Sequence, residues 1–520
     1  MKLGNIRFSI RWDSPLLISI ILALGFIFRV IPSFTSLYVI RADEIDYWEQ
    51  SHKLVYGFGC IGYDYMDGVG ARSLLYAWPV AFPLYFAKIL GLNSPVYYIP
   101  FVKIFLSLIS LVIPIGMWHV TRIIYDNKAA LLALILGCFW YELVLSANHG
   151  LTEFYTVYFS FAALLFIQEK IDPKRSLLIG ILLGLAFLFR PHNLVPITLI
   201  CVWAGTRMDR KSIIFLGVGG ILSITSGFLY DFYTWGEFAH SYKIYLTLYG
   251  KAAEELQNLY GVNPKWLQLA NLTICSGGIL TAVLFFAAIS FKENKVISII
   301  CVSTFVFYST IKTQEHSFVF IVLPFLLCIL SRIIICDLKS IYKTVAIIYI
   351  IFVCLNGLTG KLVPITILKD NWTVQVRQAG LFYKDPWLST GLALSRMEPG
   401  SVLWSNGDAA TPGGYFVFHH HQQIFFPGGV RAHAELIKDL DIHKFIKYLV
   451  IPSQPNVALK GFHLVNNQGV FSIFENDSLP KNQEVNGYAF NLQLPLDQPS
   501  IDLLLKSGVI KSKPKLTYWN

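Results

Sequence analysis

The sequence predicts an all-α multispanning membrane protein with a C-terminal extracytoplasmic α/β domain. Three observations carry that prediction. Of 520 residues, 55% are hydrophobic and only 14% charged, whereas a soluble globular chain carries about 25% charged residues; mean hydropathy is +0.55. Apolar runs of membrane-crossing length recur between residues 15 and 360. Beyond about residue 378 the pattern changes to short alternating runs separated by Gly, Pro and Asn turns, which is strand chemistry.

The apolar runs are 15–34, 98–120, 129–147, 153–168, 176–190, 192–206, 212–231, 268–290, 296–311, 317–335 and 342–360. A span takes about 20 residues, fewer where it is tilted or broken. A twelfth run, 74–91, contains Pro79 and Pro83 with Tyr76, Tyr85 and Trp78, aromatic residues that suit the headgroup region. Parity settles its status. Lys2, Arg7 and Arg11 place the N-terminus in the cytoplasm. If 74–91 is interfacial or re-entrant, the basic loops 121–128, 168–176, 206–212, 291–295 and 336–343 all fall inside; if it spans, all of them flip outside, against the positive-inside rule. The expectation is therefore about eleven spans. Residues 1–14 are polar and lead straight into a full-length span, so no cleavable signal peptide is expected.

This topology divides the chain into a membrane domain, 1–360, with a first extracytoplasmic loop at 35–97, and an extracytoplasmic soluble domain, 361–520. It implies a multi-pass protein of the cytoplasmic membrane of a prokaryote with its site outside, or alternatively of the endoplasmic reticulum. In the soluble part, strands are expected within 401–408, 415–429, 445–453 and 461–476, and a helix at 433–441. His419, His420 and His421 lie in a strand-like run, where alternation sends neighbours to opposite faces, so no metal site is expected there. Asn271, Asn371 and Asn476 head glycosylation sequons by pattern. The eight cysteines show no metal-type spacing and suggest no disulfide framework. The net charge of +10 resides mostly in short loops, where it sets topology; nucleic acid is not an expected partner. No internal repeat supports a transporter built from paired halves.

The unusual polar residues converge on the extracytoplasmic face. Asp43, Glu44 and Asp46 come from the first loop, with Arg72 further on; His149 and Glu153 come from loop 145–153; Arg190, His192 and Asn193 come from a turn between two spans; Lys312, Glu315 and His316 come from turn 311–316. Such a set suits transfer of a group from an anionic lipid carrier. A carboxylate takes the proton of an incoming hydroxyl, cations balance a leaving phosphate, and aromatic residues such as Tyr47 and Trp48 stack on sugar or line a lipid groove. Each residue also has a bland reading, as a solvated loop acid or as a cation snorkelling to the interface. A lipid-linked-saccharide flippase would spread polar groups through the bilayer depth, and a non-catalytic scaffold would leave the first-loop acids dispensable.

The stretch from Ala42 to Leu92 resembles the first lumenal loop of glycosyltransferase family 22, the polyprenyl-phosphate-mannose-dependent α-mannosyltransferases of N-glycan and GPI-anchor synthesis. Asp43-Glu44, Tyr47-Trp48-Glu49, His52, Tyr56-Gly57-Phe58-Gly59 and Arg72-Ser73 match in order. Arg41-Ala42 stands where that family has His-Pro. The segments at 151–165, 184–197 and 312–324 are similar to later motifs of the family. The resemblance implies a GT-C fold, a polyprenyl- or dolichyl-phosphate-linked sugar donor, a glycan or glycolipid acceptor, inversion at the sugar carbon, and neither metal nor other cofactor. It implies Asp43 as the base and Glu44 as the residue orienting base or acceptor. Arg190, Lys312 and His316 are then expected at the donor phosphate, and Tyr47, Trp48, His52, Arg72, His149, Glu153, His192 and Asn193 in the cavity.

Overall fold

The computed structural model describes residues 14–35, 42–56, 73–250, 266–289, 295–311 and 320–359, together with parts of the stretch from 381 to 479. Among the described residues, the regular structure of the membrane part is all helical. Helix α1 (Pro15–Thr35) is followed by α2 (Ala42–Tyr56), a 3₁₀ turn (Leu74–Ala77), α3 (Trp78–Ile89), α4 (Pro95–Ile109), α5 (Val112–Ile124), α6 (Asn127–Phe139), α7 (Tyr141–Leu145), α8 (Thr152–Leu164) and α9 (Pro173–Phe189). After a second 3₁₀ turn (Pro191–Asn193) come α10 (Leu194–Gly205), α11 (Arg210–Trp235) and α12 (His240–Gly250); later helices include Lys295–Thr310, Val322–Arg332 and Ser340–Leu358.

Among the described residues, four stretches are long and apolar enough to cross a membrane: Pro15–Thr35, Val96–Ile124, Arg210–Trp235 and Ser340–Leu358. Two other expected spans are broken, each for a local reason. The run 268–290 divides into Leu267–Cys275 and Ile279–Ile289 because Gly277 and Gly278 both adopt positive φ, a conformation that glycine reaches without a Cβ clash. The run 129–147 breaks at Trp140, whose extended backbone ends α6. The 74–91 segment becomes the short turn and α3, 4 and 12 residues, rising roughly 26 Å against a hydrocarbon core of about 30 Å.

The break at Trp140 leaves the last carbonyls of α6 without helical partners. Arg29, fully buried in α1, supplies them. Its Nη1 donates to Cys138 O at 2.7 Å and its Nη2 to Gly137 O at 2.6 Å. Gly25, one turn earlier, lets the helices meet: a Cβ there would lie 2.8 Å from the Cys138 side chain. Arg29→Met is expected to lower the thermal unfolding midpoint in detergent, at a cost of about 2–4 kcal/mol, because two buried carbonyls lose their donors. An unchanged midpoint would show that they find other partners.

Helices α9 and α11 pack along their length through small residues. Gly180 and Gly184 on α9 face Gly219, Gly220 and Ser223 on α11, and Gly227 meets Leu188. The four-residue spacing puts the small residues on one face, so the backbones approach closely where no hydrophobic force drives association. The alternating runs near the C-terminus form a five-stranded sheet of order β2-β1-β3-β5-β4, with β1 Val402–Trp404, β2 Ile424–Phe425, β3 Tyr448–Pro452, β4 Phe462–Asn467 and β5 Phe471–Asn476. The β1–β2 and β1–β3 pairs are parallel, while β3–β5 and β4–β5 are antiparallel. The expected helix at 433–441 and His419 to His421 lie outside the described residues. Two of the three sequons sit on buried asparagines, Asn271 within a helix and Asn476 in β5; Asn371 lies outside the described residues.

Candidate active site

Helix α2 carries the first-loop motif, and its pattern determines how it docks. Glu44, Tyr47, Trp48, Ser51 and His52 recur at helical spacing and are all buried, so one face of an otherwise polar helix is turned into the protein. Ser51 Oγ donates to Ala77 O at 2.8 Å, and Lys88 Nζ donates to Val55 O at 2.7 Å. Tyr47 meets Tyr76 edge-on at 5.9 Å, and His52 stacks on Tyr56 at 4.5 Å with Tyr98 beside it at 6.0 Å. Glu44 is on the buried face. It accepts from Gly150 N at 2.8 Å through Oε1, and its Oε2 lies 2.9 Å from His149 Nδ1.

Two more buried groups shape this corner. Lys103 on α4 is fully buried and acts electrostatically on both Glu44 and His149. Burial opposes ionisation of Glu44, but His149, Lys103 and the Gly150 amide outweigh it and hold the carboxyl below its usual range. Burial also favours neutral His149, and Lys103 acts in the same direction against Glu44, so its pKa falls. The arrangement is a Glu44 carboxylate accepting Nδ1–H from the His149 ring. Gly150 is confined as well: a Cβ there would lie 3.0 Å from Val80 and 3.4 Å from Tyr155 OH.

A second polar cluster begins three residues after Gly150. Glu153, in the first turn of α8 where the helix end favours an anion, pairs with Arg190 at 3.1 Å (Oε1 to Nη2). Arg190 precedes Pro191, which keeps it out of the helical region; its φ of −152° ends α9 and begins the turn. Asn193 Oδ1 accepts from Tyr308 OH. His192 hydrogen-bonds Tyr245 of α12. Aromatic contacts link the two clusters: Tyr47 to Tyr76, Tyr76 to Phe189 at 5.8 Å, and Phe189 to Tyr155 at 5.5 Å.

The structure therefore brings Glu44, Tyr47, Trp48 and His149 together, and joins Glu153, Arg190, His192 and Asn193 beside them. His52 sits deeper on α2, against Tyr56 and Tyr98. Arg72, Lys312 and His316 lie outside the described residues, as do the side chains of Asp43 and Asp46. Ser73, next to Arg72, is described: its Oγ donates to Asp231 Oδ1 at 2.6 Å, and Asp231 Oδ2 accepts from Ser241 N at 3.0 Å. Lys103, Asp231, Tyr245 and Tyr308 are not among the residues expected from the sequence. For Lys103 and Asp231 a signal exists, since each is an ionisable residue inside an apolar run; the two tyrosines carry no such mark.

Residues 20–368 match the model of the Alg9-like mannosyltransferase family. The chain belongs to that family. The family assignment makes it an integral-membrane glycosyltransferase, and the fold agrees. Crystal structures of ArnT from Cupriavidus metallidurans superpose with TM-scores of 0.53 in the apo state and 0.51 bound to undecaprenyl phosphate. Each is 12% identical and covers 88% of this chain and 97% of its own. At that identity the likeness establishes the GT-C fold alone. The Archaeoglobus fulgidus oligosaccharyltransferase in its apo form is similar at a TM-score of 0.49 and 11% identity, over 86% of this chain and 70% of its own. No curated protein sequence matches the chain. In this member of the family, the lead-in to α8 holds Glu44 through His149 and Gly150, and Glu153 shortly after it pairs with Arg190.

Proposed function

We propose that the protein transfers a sugar, mannose by family, from a polyprenyl- or dolichyl-phosphate carrier to a glycan or glycolipid hydroxyl on the extracytoplasmic side of the membrane, with inversion. The observation that carries this reading is the span from His149 to Glu153, which places the Glu44 corner next to the Arg190 corner. In the reaction, the acceptor oxygen attacks the sugar carbon as Asp43 takes its proton. The bond from that carbon to the phosphate oxygen breaks, and the lipid phosphate leaves with the electron pair. Arg190 brings a guanidinium charge to the cluster beside Glu153, which suits an anionic phosphate oxygen. Lys312 and His316 complete the cationic side.

Purified protein supplied with polyprenyl-phosphate mannose and a glycolipid acceptor is expected to form product. Arg190→Ala is expected to raise the donor KM about tenfold or more, the worth of a charge-assisted hydrogen bond, with the acceptor KM changed by less than about twofold. Turnover with no polyprenyl-phosphate sugar would overturn the donor class. An unchanged donor KM in the variant would remove Arg190 from the phosphate site.

A further inference from the structure

Glu44, the second acid of the first-loop motif, is fully buried, and its surroundings are built. It leaves α2 on the same face as Tyr47, Trp48 and Ser51, which pack into the protein. Its two carboxylate oxygens are engaged by a different element from the one that carries it: the His149 ring at 2.9 Å and the Gly150 backbone N–H at 2.8 Å, both in the lead-in to α8. A third element, α4, contributes the buried cation Lys103. A carboxylate held in this way is poorly placed to approach a sugar or a hydroxyl. It is well placed to hold two segments together, because removing one partner of a buried charged hydrogen bond costs far more than losing a surface pair.

Asp43 is the residue before Glu44 in the same helix, about 100° further round it. The rotation of α2 about its axis therefore bears on position 43, and Glu44 is one of the groups that fix that rotation, beside Tyr47, Trp48, Ser51 and His52. We propose that Glu44, His149 and the Gly150 amide form a buried latch between the first loop and α8, that Lys103 supplies its countercharge, and that Glu44 is a positioning residue for the base. This rests on the reading of Asp43 as the base. His149 takes part as a donor through Nδ1, and its Nε2 makes no hydrogen bond among the described residues.

The latch makes three linked predictions for purified protein assayed with a polyprenyl-phosphate sugar. Glu44→Gln keeps the shape but not the charge, and is expected to lower kcat about 10–100-fold with the donor KM within about twofold, as expected for a misplaced catalytic group. In an Asp43→Asn background the same change is expected to cost less than about threefold, because a residue acting only through Asp43 has nothing left to position. At His149 the two amides separate position from chemistry: Asn places an N–H where Nδ1 stands and Gln places its amide where Nε2 stands. His149→Asn is expected to recover most of the loss seen in His149→Ala, and His149→Gln is not. A full additional loss for Glu44→Gln on top of Asp43→Asn would make Glu44 an independent catalytic group and overturn the latch, as would recovery by Gln in place of Asn. If Asp43→Asn alone is fully active, the base assignment falls, and the latch is then judged on the His149 pair. That pair also serves if Glu44→Gln does not fold.

Discussion

Asp43→Asn is expected to lower sugar transfer by about 10²–10⁴-fold in kcat, the usual worth of a general base. The substitution is nearly isosteric. It removes the ability to accept a proton and leaves a side chain that still hydrogen-bonds, so the donor KM is expected to move by less than about threefold. The buried face of α2 predicts that the variant folds: Glu44, Tyr47, Trp48, Ser51 and His52 anchor the helix, and none of their contacts described above uses Asp43. A melting midpoint equal to that of the unaltered protein, together with lost turnover, would separate chemistry from folding. Full retained activity would sink the base assignment and leave the family's fold without its expected acid in this chain. Asp46, two positions after Glu44, is the natural control; Asp46→Asn is expected to retain most of the turnover.

Gly180→Ala and Gly219→Ala are each expected to destabilise the membrane domain by about 3 kcal/mol or more, toward the upper end of what overpacking costs. The reason is geometric. A Cβ on Gly180 would lie 2.1 Å from Leu216 O, and one on Gly219 would lie 2.2 Å from Leu177 O. Both obstacles are backbone, which cannot rotate away as a side chain can. The two helices would have to separate along their contact, and a gap of even 0.5–1 Å forfeits about a quarter to a half of each dispersion well. Gly217 offers the internal comparison, because a Cβ there meets nothing within 4 Å. Gly217→Ala is expected to be neutral or to stabilise α11 by up to about 1 kcal/mol through helix propensity. Thermal unfolding of the three purified variants in detergent reads the difference. Equal midpoints for Gly180→Ala and Gly217→Ala would refute the close-packed seam.

The helical membrane architecture is legible in composition and run length, and the GT-C fold in the likeness of the first-loop motif to its family. The interruptions are less so. Averaged hydropathy over 268–290 hides Gly277-Gly278, although a glycine pair inside an apolar run is a breaker signal in its own right. The break at Trp140 has no comparable mark, since nothing about Trp140 itself opposes helix. Glu44 shows a different limit. Three acids within four residues read as a solvated group, yet the spacing of Tyr47, Trp48, Ser51 and His52 marks the buried face, and Glu44 falls on it. Pairings across the chain, such as Glu153 with Arg190, belong to tertiary packing and leave no trace in local pattern.

Arg29 has a consequence for the order in which the protein is made. Two of its three carbonyl partners lie 108 and 109 residues later in the chain, so at about 5–20 residues per second they do not exist for the first several seconds of synthesis. The first span therefore enters the bilayer with only the Gly25 carbonyl of its own helix for that guanidinium, a burden of up to about 2.5–3.5 kcal/mol on insertion scales that the apolar residues of the helix must offset. The arginine becomes an asset only when α6 arrives and breaks at Trp140. Secure seating of the first helix is thus deferred until a helix more than a hundred residues downstream has been inserted beside it.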